Sequence, residues 1–182
     1  MTLQEEIVQV ILKNFTSYKT MAEKAFAQLD EKDFYYKPDS ESNSIAIIIQ
    51  HMAGNMHSRF TDFLTTDGEK PTRNRDSEFE DTNLSKDQLL STWQAGWKVV
   101  FDAIHQLGPE DLQKMVLIRQ EPLSVIDALI RQVTHYSSHI GQIVFLAKHI
   151  KKGDWKTLSV PKGQSELFNQ MMIEKLRSVN KQ

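Results

Sequence analysis

The segment SVIDALIRQVTHYSSHIGQIVFLAKHIKKG, residues 124–153, decides the fold class. Its apolar residues return every three or four positions, which is the period of one face of an α-helix. Ser124 followed by Asp127 is typical of a helix start, and Gly153 is typical of a helix end. The segment therefore predicts one long amphipathic helix with the inward residues Val125, Leu129, Val133, Tyr136, Ile140, Ile143 and Ala147.

The same period recurs in three earlier segments of the chain. They run from about residue 2 to 29, from 42–44 to about 64 and from about 85 to 108. Trp93 and Trp97, four residues apart on the third segment, are expected in the core, with a substrate-facing wall as the alternative. The predicted architecture is an all-α four-helix bundle.

Further features complete the predicted domain. We expect a single domain over residues 1–182, because a chain of this length suits one core. A short amphipathic helix is predicted after residue 165, and residues 115–118 could form part of a short strand pair before the fourth long helix.

Composition narrows the classes of function. Lys and Arg total 22 against 24 Asp and Glu, and this formal charge of −2 lacks the positive excess that is typical of nucleic-acid-binding proteins. No apolar run is longer than the five residues of 45–49, which is far shorter than the roughly 20 residues of a membrane span. We therefore expect a cytoplasmic protein without nucleic-acid or membrane partners. The chain has no Cys, so any metal ion must be held by nitrogen and oxygen ligands.

A histidine pair on the fourth predicted helix is the first candidate for chemistry. His135 and His139 are four residues apart, so both imidazoles project from one face and can reach one ion. Both lie at the edge of the apolar stripe, and His51 holds a comparable edge on the second helix. If these edges face each other, three neutral imidazoles surround one divalent transition-metal ion and leave coordination positions open. The alternative is that His135 and His139 are two ordinary surface or core histidines, because a pair at this spacing can arise by chance.

Polar residues beside the histidines are candidates for substrate contact. Asn55 and Arg59 continue the histidine edge of the second helix, and Arg131 lies on the flank of the fourth helix that carries the histidine pair. A guanidinium and an amide there would orient a small anionic substrate beside the ion. Alternatively, Arg59 simply pairs with Asp62 on a solvated face.

Several other site chemistries lack their motifs. The residues between His135 and His139 are Tyr-Ser-Ser, so the His-Glu-x-x-His element of zinc proteases is missing, as is the Glu-x-x-His element of di-iron bundles. Nucleophile-elbow, P-loop and dinucleotide-binding glycine motifs are missing too. Serine hydrolase and nucleotide-binding functions are therefore not expected.

Three stretches give the chain a resemblance to a known family. They are HMAGNMHSR at 51–59 with DFLTTDGEK at 62–70, RQVTHYSSHIGQ at 131–142, and WKTLSVPKGQS at 155–165. On these stretches and the order of its helices, the chain resembles the DinB/YfiT-like superfamily of metal-binding four-helix bundles over nearly its whole length.

The resemblance implies a metal site and a range of activities. One histidine of the second helix and two of the last long helix bind a divalent ion in that family, commonly nickel or zinc, and the matching positions are His51, His135 and His139. Members with known activity include thiol S-transferases and isomerases that use low-molecular-weight thiols, and others are described as hydrolases. The resemblance also implies a homodimer.

Two classes of function follow from these expectations. The preferred one is an enzyme that acts on a small molecule and transfers a low-molecular-weight thiol cosubstrate to an electrophile, with metal-dependent hydrolysis as the alternative reaction. The second class is a metal-binding or stress-related interaction protein without turnover. An open cleft over the ion lined by Asn55, Arg59 and Arg131 would favour the enzyme, whereas a closed four-coordinate site would favour a structural role.

Overall fold

The computed structural model describes residues 1–179 and forms a helical bundle. Five α-helices and one antiparallel strand pair are present in this range. They are α1 Leu3–Phe26, α2 Ile45–Phe60, α3 Lys86–His105, β1 Met115–Ile118, β2 Glu121–Ser124, α4 Val125–Lys151 and α5 Ser165–Val179. The predicted all-α bundle, its short C-terminal helix and the strand pair before the fourth long helix are confirmed. No helix in this range combines the length and apolar character needed to cross a bilayer.

Side-chain caps fix where the four long helices begin. Thr2 and Ser85 each accept a hydrogen bond from the backbone N–H three residues on, and the Glu or Gln side chain at that position accepts one from the backbone N–H of the cap residue. Ser44 and Ser124 accept the same kind of bond before α2 and α4. These caps satisfy N–H groups that the first turn leaves without partners, which is why the starts could be predicted closely.

An aromatic cluster joins three of the helices in the core. Phe15 of α1, Trp97 of α3 and Tyr136 of α4 are fully buried, and their ring centroids lie 5.6 to 5.8 Å apart. Trp93 is also fully buried and contacts Trp97 edge to face. Both tryptophans are therefore core residues, as predicted, and neither forms a substrate wall.

Helix α2 occupies the centre of the bundle and ends earlier than the sequence pattern indicates. The expected end near residue 64 is wrong by about one turn, because the helix stops at Phe60 and Thr61 is extended. Asp62 then adopts a positive φ of 47°, which turns the chain away from the helix axis. Phe63 still packs on Phe60, with ring centroids 5.4 Å apart, so the apolar period continues after the helix itself has ended.

The connection between α2 and α3 is tied to the strand pair. Arg119 and Gln120 turn the β1–β2 hairpin with φ values of 56° and 63°, which are left-handed values that favour Gly or Asn. The carboxylate of Asp67 accepts both of their backbone N–H groups, at 2.9 and 2.8 Å. The Gly68 N–H donates to the Leu117 carbonyl at 2.7 Å. These contacts hold the connection in place beside α2.

A matched pair of glycines tests the close approach of α2 and α3. An added Cβ at Gly96 would lie 3.2 Å from the Cα of Ala53, whereas one at Gly141 of α4 would meet no atom within 4 Å. Gly96→Leu is expected to lower the free energy of unfolding by about 1–3 kcal/mol through overpacking. Gly141→Leu should raise it by up to about 1 kcal/mol, because glycine is a poor helix former. Chemical denaturation measures both changes, and equal effects would contradict the close approach.

Candidate metal centre

Three histidine side chains converge between α2 and α4. The Nε2 atoms of His51 and His139 lie 3.3 and 3.0 Å from the Nε2 atom of His135. The three candidate ligand atoms all lie within 4.8 Å of one another. At a metal–nitrogen distance of about 2.0–2.1 Å, neighbouring ligand nitrogens on one ion are about 3.0–3.4 Å apart. The predicted convergence is confirmed, and the separations of His51 and His139 from His135 both fit neighbouring ligands of one divalent ion.

The protonation of the three rings also fits a cation. His51 Nδ1 lies 3.0 Å from a Glu78 carboxylate oxygen, which only accepts, so Nδ1 is the donor and the neutral form of the ring presents a lone pair at Nε2. His139 Nδ1 donates to the side-chain oxygen of Gln142 at 2.9 Å, which leaves its Nε2 as a lone pair too. A single N–H on His135 can directly face only one of these lone pairs. A cation between the rings satisfies all three nitrogens.

Glu78 and Arg73 orient the ring of His51. Glu78 lies in a short 3-10 turn, Asp76–Phe79, and accepts hydrogen bonds from Arg73 Nε and Nη2 at 2.7 and 2.8 Å as well as from His51. A carboxylate on the second nitrogen of a ligating histidine fixes its tautomer and raises its basicity. Sequence reasoning missed both residues, because the connection that carries them has no periodic pattern from which their position could be found.

Burial and neighbouring charges hold the titratable groups in the states that metal binding needs. Burial, followed by the closeness of His139 and His51, lowers the pKa of His135 to about 3. Burial lowers the pKa of His139 as well, against a hydrogen bond that raises it. Burial raises the pKa of Glu78, but its hydrogen bonds to Arg73 and His51 outweigh this and leave the pKa below its usual value. At neutral pH, His135 and His139 are therefore neutral and the carboxylate is ionised.

A cleft of about 460 Å³ opens beside His51 and His135. Its volume lies in the range of small-molecule sites. Asn55, Arg59 and Arg131, the three residues expected to contact substrate, all line it. The structure therefore brings together the predicted ligands and the predicted substrate residues, and the role of the latter stays a prediction.

Arg59 supports the fold as well as the cleft. The hypothesis that it pairs with Asp62 is wrong, because its guanidinium donates to the Gly68 carbonyl and to Glu69, the latter at 2.9 Å. Since α2 ends at Phe60, Asp62 no longer lies one helical turn along from Arg59. Burial lowers the pKa of Arg59, although the hydrogen bond and charge of Glu69 raise it. This buried arginine is not the solvated surface residue that the pairing would require.

Asn55 and Arg131 differ in how firmly they are held. The Asn55 side-chain oxygen accepts a hydrogen bond from the buried hydroxyl of Tyr136 at 3.0 Å. Burial raises the pKa of Tyr136, so its hydroxyl remains a donor. Arg131 is exposed and pairs with Glu121 at 3.2 Å on the surface. Arg131 is therefore the freer of the two to turn towards a ligand.

Loss of any one imidazole should release the metal. His51→Ala, His135→Ala and His139→Ala each leave two protein ligands, so bound zinc or nickel is expected to fall from near stoichiometric to near zero. His57→Ala is the control, because His57 is exposed on α2 and lines a different pocket. Elemental analysis of protein purified without nickel affinity resin measures the content. Stoichiometric metal in His135→Ala would contradict the ligand assignment.

Removal of the charge on Glu78 should weaken metal binding without removing a ligand. Glu78→Gln keeps the size of the side chain but leaves His51 less basic, so affinity is expected to fall about 10–100-fold. Glu80→Gln is the matched control, because that exposed carboxylate forms no hydrogen bond or ion pair within residues 1–179. Competition against a chromophoric chelator measures both variants. An unchanged affinity in Glu78→Gln would exclude the supporting role.

Comparison with known proteins gives the chain a family. The search among curated proteins returns no match. Residues 2–164 match the family described as "Protein of unknown function (DUF1572)", and this range contains the three histidines, Glu78 and every residue that lines the cleft. Because the match covers most of the sequence, the chain belongs to the DUF1572 family.

Proposed function

We propose that this protein is a metal-dependent enzyme that transfers a low-molecular-weight thiol to an electrophile. The observation that carries the proposal is the open cleft beside three convergent imidazole nitrogens. Structural zinc sites are normally closed by a fourth protein ligand. Within residues 1–179 no further Asp, Glu or His joins this group, which leaves coordination positions for a substrate.

The donor set supports a thiol substrate. Three neutral imidazoles leave the charge of a divalent ion uncompensated, and an anionic sulfur is a favourable partner for such an ion. When bound, the ion would lower the pKa of a thiol or a water molecule that reaches it. A thiol, with an ordinary pKa of about 8.5, needs much less help to lose its proton than water does.

The absence of a free carboxylate at the cleft favours thiol transfer over hydrolysis. No Asp or Glu is among the residues that line it in the described part of the chain. Glu78 lies close by, but it is engaged by His51 and Arg73. Hydrolysis normally needs a group that takes a proton from water, and a nucleophile that arrives as thiolate does not. Hydrolysis remains the alternative reaction.

The residues proposed to contact substrate are Asn55, Arg59 and Arg131. All three line the cleft, and their amide and guanidinium groups offer hydrogen-bond donors beside the histidines. The resemblance to the DinB/YfiT-like superfamily supports nickel or zinc as the ion. The homodimer and the cytoplasmic location stay predictions.

A metal-binding protein without turnover is the alternative from another class. It is favoured by the partners that Asn55 and Arg59 already have in Tyr136 and Glu69. If those side chains only support the fold, the cleft has fewer free groups for substrate. Direct detection of a thiol at the ion separates the two hypotheses.

Cobalt(II) in place of the native ion tests whether a thiol enters the site. On addition of cysteine, the cobalt-loaded protein is expected to gain a sulfur-to-cobalt charge-transfer band in the near ultraviolet, because a coordination position is open. The His135→Ala variant should give no such band. The zinc-loaded protein should then accelerate the reaction of cysteine with chlorodinitrobenzene in proportion to its metal content.

Two other outcomes would overturn thiol transfer. Ester hydrolysis that follows metal content, without a charge-transfer band for any small thiol tested, would establish the hydrolase alternative. A protein that shows no charge-transfer band, no thiol transfer and no ester hydrolysis would favour the metal-binding protein without turnover.

A further inference from the structure

Arginine is concentrated in the cleft beside the three histidines. The chain has six arginines and sixteen lysines. Five of the arginines line the cleft, whereas none of the described lysines does. The five are Arg59, Arg73, Arg75, Arg119 and Arg131. A solvated basic surface would carry both residue types, so this selection points to a ligand that needs the planar fork of a guanidinium.

Nearby carboxylates do not neutralise these five charges. Glu69 contacts three of the arginines at 2.9 to 3.4 Å, and Glu78 and Glu121 each contact one. The five guanidiniums outnumber the three carboxylates that pair with them. Arg75 contacts no carboxylate of the described residues and instead lies over the Phe79 ring, 4.9 Å from its centroid. The cleft therefore carries a positive field before any metal ion is added.

The arginines form a buried floor and an exposed rim. The side chains of Arg59 and Arg73 are 7% and 5% exposed, and both are fixed by carboxylates. Those of Arg119 and Arg131 are 55% and 45% exposed, and Arg75 is exposed as well. Ion pairs at such exposed positions are weak, so the rim guanidiniums can exchange them for a bound anion.

The position of Arg119 has a conformational cost. It holds a positive φ of 56° in the hairpin turn, where Gly or Asn is usual, and Asp67 holds its backbone N–H there. Its side chain is more than half exposed, so packing does not explain the choice of residue. The turn does place a guanidinium at the mouth of the cleft.

Gln132 supplies a second, independent sign of a ligand. It lines the cleft and is 3% exposed, and no donor of the described residues reaches its side-chain oxygen. A buried acceptor without a partner is costly and rare in native proteins. A hydroxyl or amino group of a molecule in the cleft would satisfy it.

We propose that the cleft binds a small organic anion through a carboxylate or phosphate group held by Arg75, Arg119 and Arg131, while a hydroxyl or amino donor of the same molecule reaches Gln132. The bound anion would be the substrate of the proposed enzyme. Only this role as a substrate rests on the proposed function, and the anion site itself does not. The rim guanidiniums bind the charged end of the molecule, and the histidine centre faces its reactive end.

Titration of the full-length protein with small anions tests the arginine part of the proposal. Inorganic phosphate and succinate are titrated separately by calorimetry, and saturable binding of either supports the site and identifies the preferred charged group. Arg75→Gln and Arg119→Gln are each expected to weaken that binding about tenfold, the loss of one charge-assisted hydrogen bond. Arg177→Gln is the control, because Arg177 is exposed on α5 and does not line the cleft.

Two results would show that the arginines do not form an anion site. A network of arginines that only supports the fold predicts no saturable binding of either anion, or binding that Arg75→Gln and Arg119→Gln both leave unchanged. Either result would overturn the proposal. Thermal denaturation of each variant checks that a loss of binding does not come from unfolding.

Tartrate and succinate together test the role of Gln132, because tartrate adds hydroxyl donors to the same chain length. Tartrate is expected to bind the wild-type protein more tightly than succinate, and Gln132→Leu should remove that advantage. Equal affinities in the wild-type protein would exclude the donor contact.

The His135→Ala variant separates this inference from the proposed function. If the arginines hold the anion, the variant should still bind it, with affinity reduced only by loss of the ion's charge. Anion binding that disappears with the metal would overturn the arginine site. A protein that binds anions but no metal would instead retain this inference and contradict the metal-dependent enzyme.

Discussion

Nearly complete burial of α2 is the constraint on which the site depends. Polar residues on a buried helix must find hydrogen-bond partners inside the protein, because an unpaired buried polar group is costly. Each of the four buried polar residues has a partner outside the helix. His51 pairs with Glu78, Asn55 with Tyr136, Ser58 with the Gly68 carbonyl, and Arg59 with Glu69. Three of those four partners come from the connection between α2 and α3, which therefore acts as one wall of the site.

The parts of the site that could be predicted from sequence are those that helical geometry determines. His135 and His139 share a face because they are four residues apart, and the caps at Ser44 and Ser124 set where both helices begin. Glu78 could not be found in this way, since it lies in an aperiodic connection whose path depends on tertiary contacts. The Arg59 pairing failed for a related reason: it assumed one more helical turn than the chain forms, and no local signal marks the end at residue 60.

Two kinds of positive charge would act on one small molecule in this cleft. Imidazoles that bind a metal ion are neutral, so the charge of the ion remains available, whereas the guanidiniums carry permanent charge with fixed geometry. Such a division suits a substrate with a reactive end and a charged end, since the charged end provides binding energy and the reactive end is positioned beside the ion. The fold supplies both from separate elements, with the histidines on α2 and α4 and much of the arginine set on the connection and the hairpin.

X-ray absorption at the metal edge tests the three-histidine centre most directly. For protein loaded with one equivalent of zinc, the account predicts nitrogen or oxygen ligands at about 2.0–2.1 Å, with outer-shell scattering from three imidazole rings. Addition of a small thiol should then introduce a single sulfur at about 2.3 Å. A spectrum without outer-shell imidazole scattering, or with scattering from only one ring, would contradict the centre and every functional proposal built on it.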